Sequence, residues 1–363
     1  MGATLARFLC ISQCGRVVYI RKEFIMFVPV VDSNQKPLMP TTPARAKKWI
    51  KSGKATPFWK HGIFCVRLNV EPSNRKTQDI VVGIDPGSKK EAYTLKSESH
   101  TFLNIECDAV TWVKDAVKCR REARRNRRNR RCPCRKPRFN NKSKPKIAPS
   151  TFARWNLKLR IVNWLRKIFP IRHYIVEDIK AKTLKGSSKW NLSFSPLEVG
   201  KTWLYSELEK LGNLDIKQGW ETKIFRDHYG LSKSSDKMSG KFECHCVDSW
   251  TLANWCVGGH IEPDNKEILY IRPLQFHRRQ LHVFNFAKSG IRKLYGGTRS
   301  LGFKRGSIVK HIKHGICLIG GTSKGLISLH AIDTFKRLCQ NAKVSDIKFL
   351  TFNNWSWLYS LYS

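Results

Sequence analysis

Acidic residues are scarce in this chain: 27 Asp and Glu stand against 68 Lys and Arg, a formal net charge of +41. In a compact fold such an excess repels itself unless a polyanion compensates it, and nucleic acid is the obvious candidate. Long apolar runs are missing too. None reaches the roughly 18 residues needed to cross a bilayer, which excludes a membrane-spanning helix. The 12 Cys lack a regular framework of spacings, so they read as reduced thiols of a cytosol-like compartment, not as disulfides. What is present argues for a folded chain with an embedded basic surface and not a basic disordered tail. Hydrophobic residues make up 41%, and the 12 Trp and 19 Phe are spread along the sequence.

Residues 1–25 carry Arg7, Arg16, Arg21 and Lys22 among short apolar runs, without the layout of a secretory signal. They read as an extension ahead of a start at Met26, with a weak organelle-targeting peptide as the other reading. A short strand follows Met26, then a Pro-rich turn over Lys36–Pro40. Thr42-Pro43 marks the cap and first position of a basic helix bearing Arg45 and Lys48. Ile80–Asp85 is an apolar strand that ends on an acid before the turn at Gly87.

The segment 118–131 holds eight arginines: Arg120, Arg121, Arg124, Arg125, Arg127, Arg128, Arg130 and Arg131. It has no apolar stripe, so as a helix it cannot bury a face against a protein core. It is expected to lie along a polyanion, whose phosphates guanidinium forks grip bidentately. Pro133, Pro137, Pro145 and Pro149 break it into a basic loop, and helical spacing resumes up to Phe169. Tyr174–Asp178 resembles a second buried strand ending on carboxylates. Phe242–Ala253 reads as a helix with His245 and Asp248 on one face. From about Lys266, short β-like runs with Gly-rich turns suggest a small β-barrel-like module carrying Lys304, Arg305, Lys310 and Lys313.

Asp85, Glu177, His245 and Asp248 supply oxygen and imidazole ligands suited to hard divalent cations. Two Mg2+ ions about 3.5–4 Å apart, with Mn2+ able to substitute, would activate a water and stabilise the leaving oxygen in phosphodiester hydrolysis. His245 is equally a candidate for positioning or deprotonating that water. Local sequence alone leaves other readings open. Asp85 also suits a turn or a nucleotide-phosphate loop, and Glu177-Asp178 a surface pair at a strand end. Cys244 and Cys246 with Cys132 and Cys134 suggest zinc, although neither pair has the usual two-residue spacing.

From about Phe27 to near the C-terminus the motifs resemble those of the IscB/IsrB family of transposon proteins, relatives of the type II CRISPR effector nucleases. Lys36–Pro40 matches the PLMP signature, Gly83–Ser88 the first RuvC motif and Arg127–Arg131 the RRXRR signature of an arginine-rich bridge helix. Val176–Asp178 and His245–Ser249 match the second and third RuvC motifs. Lys142, where arginine is commoner, and the N-terminal extension depart from the pattern. The resemblance implies an α/β fold: an RNase H-like (RuvC) core split by the bridge helix, with a small N-terminal PLMP domain and a C-terminal β-rich module. The corresponding boundaries are 1–25 (extension), 26–78 (PLMP domain), 79–115 (first RuvC segment), 116–150 (bridge helix and basic loop), 151–265 (second and third RuvC segments) and 266–363 (target-adjacent-motif module).

The implied activity is RNA-guided cleavage of double-stranded DNA next to a target-adjacent motif. Asp85, Glu177 and Asp248 would carry two Mg2+ ions and His245 would assist. The arginines of the bridge helix and Arg138 would hold a structured guide RNA (omega RNA) and its heteroduplex by backbone and shape. Arg45, Lys48, Arg272, Arg278, Arg279, Lys304 and Arg305 are further expected nucleic-acid contacts. In IscB an HNH nuclease separates the second and third RuvC motifs. Here the interval from Asp178 to Cys244 holds one His, His228, and no Cys-x-x-Cys, which favours the IsrB branch and nicking of the non-target strand. The family setting implies a monomer within a ribonucleoprotein, in a bacterial cytoplasm or an organelle. Two readings from other classes stand beside it: a guide-independent, junction-resolving nuclease, and a non-catalytic transposon RNA-binding protein.

Overall fold

The computed structural model describes residues 27–61, 63–129, 147–181, 195–236, 239–273, 299–332, 336–352 and 355–359, together with four short strands outside these ranges. Two of the four, β1 (Leu9–Ile11) and β2 (Val17–Tyr19), pair antiparallel. An N-terminal module follows, made of β3 (Val28–Val31), β4 (Pro37–Thr41), α1 (Pro43–Lys51), β5 (Ala55–Lys60) and β6 (Ile63–Leu68), in the sheet order β4-β3-β6-β5. The segment read as a Pro-rich turn is therefore mostly strand. It lies at the sheet edge, where the missing proline N–H leaves no ladder bond unmade. The turn itself comes earlier: the Asp32 N–H donates to the Lys36 carbonyl at 2.9 Å, and Gln35 takes φ 60. α1 starts as its sequence predicts, with Pro43 in the first turn and Thr42 Oγ1 accepting from the Arg45 N–H.

The central sheet comprises β7 (Ile80–Asp85), β8 (Lys90–Lys96), β9 (Thr101–Asp108), β10 (Ile171–Asp178), β11 (Asn213–Gln218), β12 (Ile268–Pro273) and β22 (Trp355–Tyr359), in the order β11-β10-β7-β8-β9-β12-β22. β7, β8 and β9 form an antiparallel meander, while β10 joins β7 in parallel and β11 joins β10 in parallel. Numbered from β7 in chain order, these strands run 5-4-1-2-3 across the sheet, with only the second reversed. That is the arrangement expected of an RNase H-like core.

Two pairs of helices cover this sheet. On one face, α3 (Pro149–Leu165) and α4 (Pro196–Glu209) bury Trp155, Ile161, Leu165 and Leu204 against Ile80, Val82, Ile84, Tyr174 and Val176. On the other, α5 (Gly219–His228) and α6 (Phe242–Val257) pack Phe225, Leu252 and Ala253 against Val81 and Ile175. Burial on both faces is why 80–84 reads as an unbroken apolar run and not as an alternating one. α6 lies close to β7 because residue 83 has no side chain: a Cβ on Gly83 would meet the Ser249 carbonyl oxygen at 2.0 Å. The hydroxyls of Thr94 on β8 and Ser249 on α6 share a hydrogen bond of 2.8 Å.

α2 (Val113–Asn129) contains the first part of the arginine segment and begins slightly before the boundary placed at 116. The remainder of that segment and its proline-rich loop lie outside the described residues, as do most of residues 1–25. A small pair, β13 (Phe284–Asn285) with β14 (Gly290–Ile291), precedes β15 (Arg299–Ser300) and β16 (Phe303–Lys304). β17 (Ile308–His311), β18 (Gly315–Ser323), β19 (Leu326–His330), β20 (Arg337–Ala342) and β21 (Ile347–Thr351) form an antiparallel sheet, ordered β20-β19-β18-β17-β21, around Val309, Cys317, Ile319, Ile327 and Leu329. The boundary placed at 266 is moved by this topology. β12 pairs with β9 and β22 with β12, so the C-terminal module is inserted between two strands of the core. Cysteines among the described residues, Cys65, Cys107, Cys119, Cys244, Cys246, Cys256, Cys317 and Cys339, are free.

Gly83→Ala forces α6 away from β7, and we expect it to lower unfolding stability by about 3 kcal/mol, the upper range for overpacking a filled interior. Chemical denaturation of the two proteins side by side measures this; an unchanged midpoint would contradict the close approach.

Candidate metal centre

Strand alternation decides which acids meet. Along β7, Val81, Gly83 and Asp85 point to the α5/α6 side, and along β10 Ile175 and Glu177 do the same. The parallel register pairs Val176 with Ile84, which brings Glu177 alongside Asp85 at the carboxyl ends of neighbouring strands. α6 crosses this face with Ser249 at Gly83, so the preceding Asp248 lies over both. Ligand oxygens of Asp85, Glu177 and Asp248 lie within 4.8 Å of one another. Three segments far apart in sequence thus supply one carboxylate each.

The electrostatics follow from that crowding. Burial, then the nearby charges of Glu177 and Asp248, push the Asp85 carboxyl up to about 8. Glu177 is raised as well, by burial first and by Asp248 second. Its Oε2 is buried without a hydrogen-bond partner among the described residues. Asp248 is 2% exposed and holds two cations: Arg226 of α5 through Nη1 at 2.6 Å, and the Lys233 ammonium from the loop before α6. Burial alone would lower the Lys233 pKa, but Asp248, Asp85 and Glu177 outweigh it and raise it. Arg226 and Lys233 were not anticipated, since nothing local separates them from the chain's other basic residues.

Hard carboxylate oxygens, mutual repulsion and an orphaned buried Glu177 oxygen suit a divalent-cation site, so the residues present fit a hard divalent metal ion. His245 sits one helical turn before Asp248, half-buried, and is not among the three side chains whose ligand atoms converge. Asp178 points to the opposite face. Burial would raise its pKa, but hydrogen bonds from Lys201, Gln218 and Tyr205 prevail and hold it below the ordinary value. Its Oδ1 lies 2.8 Å from Lys201 Nζ, so it serves the packing of α4 and not the acid cluster. Cys244 and Cys246 are buried in α6, with Cys246 packed against Phe242 and Trp250, while Cys132 and Cys134 lie outside the described residues.

Of the expected nucleic-acid contacts, Arg120, Arg121, Arg124 and Arg125 are exposed on α2, and Arg45 and Lys48 are exposed on α1. Lys304 and Arg305 are half-buried, and exposed Arg272 donates through Nε to Asp108 at 3.0 Å. Arg127 and Arg128 belong to α2, but their side chains lie outside the described set, as do residues Arg130, Arg131, Arg138, Arg278 and Arg279.

A mixed sheet in this strand order, with carboxylates converging from two strand ends and a helix, defines a RuvC-like core. Residues 28–189 match the family model of the RRXRR proteins, the IscB/IsrB-type family. Among solved structures the chain is similar to the yeast mitochondrial Holliday junction resolvase Ydc2, at 14% identity and a TM-score of 0.26, covering 50% of this chain and 78% of the resolvase. No curated protein matches it.

The raised Asp85 pKa sets the sign of a pH dependence. Between the unfolded value of about 4 and the folded value of about 8, the folded protein holds more protons, so stability falls as pH rises through that window. In EDTA, the thermal midpoint should drop more between pH 5 and pH 8 for the unsubstituted protein than for Asp85→Asn, which has no proton to lose at this position. Lys233→Ala removes one of the two resident counter-charges. Thermal melts with and without Mg2+ at pH 8 should show this variant starting lower and gaining more from the metal than its parent.

Proposed function

We propose that the chain is an RNA-guided DNA endonuclease that nicks one strand of double-stranded DNA, the non-target strand. The observation that carries the reading is the convergence of Asp85, Glu177 and Asp248 within 4.8 Å inside a chain of net charge +41. A basic surface draws in the polyanion, and the acid cluster marks where its backbone is cut. Bound Mg2+ ions would supply Lewis-acid stabilisation of the phosphoryl oxygens and lower the pKa of an attacking water. Asp85, Glu177 and Asp248 would hold those ions. Arg226 orients the Asp248 carboxylate, and His245, one turn away on the same helix, positions the water or takes its proton. The exposed arginines of α2 grip phosphates of a structured guide RNA and of its heteroduplex, while base pairing supplies sequence specificity. Nicking, as distinct from double-strand cutting, rests on the short interval between Asp178 and Cys244, which has no room for a second nuclease domain of the HNH kind.

The test is to copurify the protein with RNA expressed from its own locus and assay plasmid nicking in Mg2+ with the guide matched or scrambled. We expect nicking only with the matched guide. Persistent nicking with the scrambled guide would favour a structure-selective nuclease, and no nicking with any guide or target motif would favour a non-catalytic RNA-binding protein. Asp85→Ala should abolish nicking while leaving RNA affinity within about twofold, because the acid cluster and the α2 arginines are separate sites.

A further inference from the structure

Trp220 is the most exposed Trp or Phe among the described residues, at 64%. Its helix does not need it for packing. The inward face of α5 is already filled by Thr222 and Phe225, which are buried, and Arg226 reaches across to Asp248. What distinguishes Trp220 is its address. It directly follows Gly219, where an added Cβ would lie 3.0 Å from Glu177 Oε1, so the backbone at the start of α5 abuts the acid cluster. The Trp220 Cα is therefore about 3.8 Å further along the chain. Exposed Lys223 lies in the next turn, and Ile224, 54% exposed, continues the same outward surface. Glu221, the nearest acid in sequence, is occupied at the helix start, where it accepts from the Gln218 N–H at 2.6 Å.

We propose that Trp220 is a stacking platform for a base of the single DNA strand whose phosphate is presented to Asp85, Glu177 and Asp248. The inference rests on the nuclease reading above and adds the form of substrate that the site takes. A nucleotide whose phosphate sits at the acid cluster must place its neighbouring bases on the adjoining surface, and the flat apolar group there is an indole. Every base offers a π-face, so such a platform tolerates any sequence, as a strand chosen by a guide requires. Bases within a duplex are already stacked on one another and leave no face for Trp220. The platform therefore selects an unpaired strand. The phosphate backbone is matched by exposed Lys223 and by the chain's net charge of +41, whereas a protein partner docking on Trp220 and Ile224 would have to accept that charge beside its own apolar surface.

The experiment uses the full chain with its copurified RNA, in an Asp85→Ala background for binding and an unsubstituted background for nicking. The probes are a short single-stranded DNA and the same sequence as a duplex, each carrying one 2-aminopurine, with Trp220→Ala and Trp220→Phe as variants. We expect Trp220→Ala to weaken single-strand binding about tenfold and remove most of the 2-aminopurine quenching, with duplex binding unchanged. Trp220→Phe should retain binding within about threefold, and the nicking rate should follow the same order. Equal binding by Trp220→Ala and its parent, equal loss for single strand and duplex, or a Phe variant as weak as the Ala variant would overturn the proposal. So would a change from dimer to monomer in Trp220→Ala as its only effect, which would assign the surface to a second copy of the chain. Failure of the two readings is separable. If the parent nicks nothing but Trp220→Ala still weakens single-strand binding, the nuclease reading falls and the platform stands; if the parent nicks and Trp220→Ala matches it, the reverse holds.

Discussion

Repulsion among Asp85, Glu177 and Asp248 has to be overcome by the rest of the fold. At separations within 4.8 Å each ionised pair would cost about 3 kcal/mol or more at an effective dielectric of about 20. The acids cannot relax apart, because each is fixed to an element that is packed elsewhere. Asp85 and Glu177 end strands whose residues are buried on both faces, and Asp248 rides on a helix locked to β7 at Gly83 and to β8 through the Thr94–Ser249 hydrogen bond. The lysine that pins the far end of this unit is itself buried: Lys96 Nζ donates to the Gly258 carbonyl, just past α6, at 2.6 Å. Arg226 and Lys233 then offset part of the repulsion. The cluster is held rigidly while still short of positive charge, which is the condition for binding a multivalent cation.

The opposite face of the sheet uses charge differently. Lys158 of α3 and Glu91 of β8 form an ion pair with both side chains buried, and Arg154 of α3 donates to the Gly87 carbonyl at 3.0 Å. Removing either member of the buried pair would strand the other in the interior, so such a pair fixes where α3 sits. The Gly87 contact places the start of that helix at the turn that follows Asp85. The arginine segment proposed to bind a polyanion precedes α3 in the chain.

Elements buried on both faces were legible in the sequence. Ile80–Asp85 and Tyr174–Asp178 show as apolar runs ending on acids, α1 carries its own cap, and the periodicity around Asp248 marks α6. Elements at edges were harder to read. β11, with Asn213-Leu214-Asp215-Ile216-Lys217-Gln218, is a polar edge strand whose composition does not separate it from a loop, and Pro37–Thr41 was hidden by its prolines. β12 looked like the first strand of the C-terminal module because an apolar run does not specify its partner. Of the acids, Glu177 and Asp178 are adjacent in sequence, and strand alternation sends only Glu177 to the cluster while Asp178 meets Lys201, Gln218 and Tyr205.

Charge balance, the missing membrane-spanning run and the motif order, which by family resemblance points to Asp85, Glu177 and Asp248, are written in the chain itself, because each is a matter of composition or of residues close in sequence. The distance between those acids, the cations that hold Asp248, the exclusion of Asp178 and the exposure of Trp220 beside Glu177 were decided only by the tertiary structure. They depend on strand register and on how closely α5 and α6 approach the sheet, and these are relations between residues 15 to 166 positions apart. No local pattern encodes them.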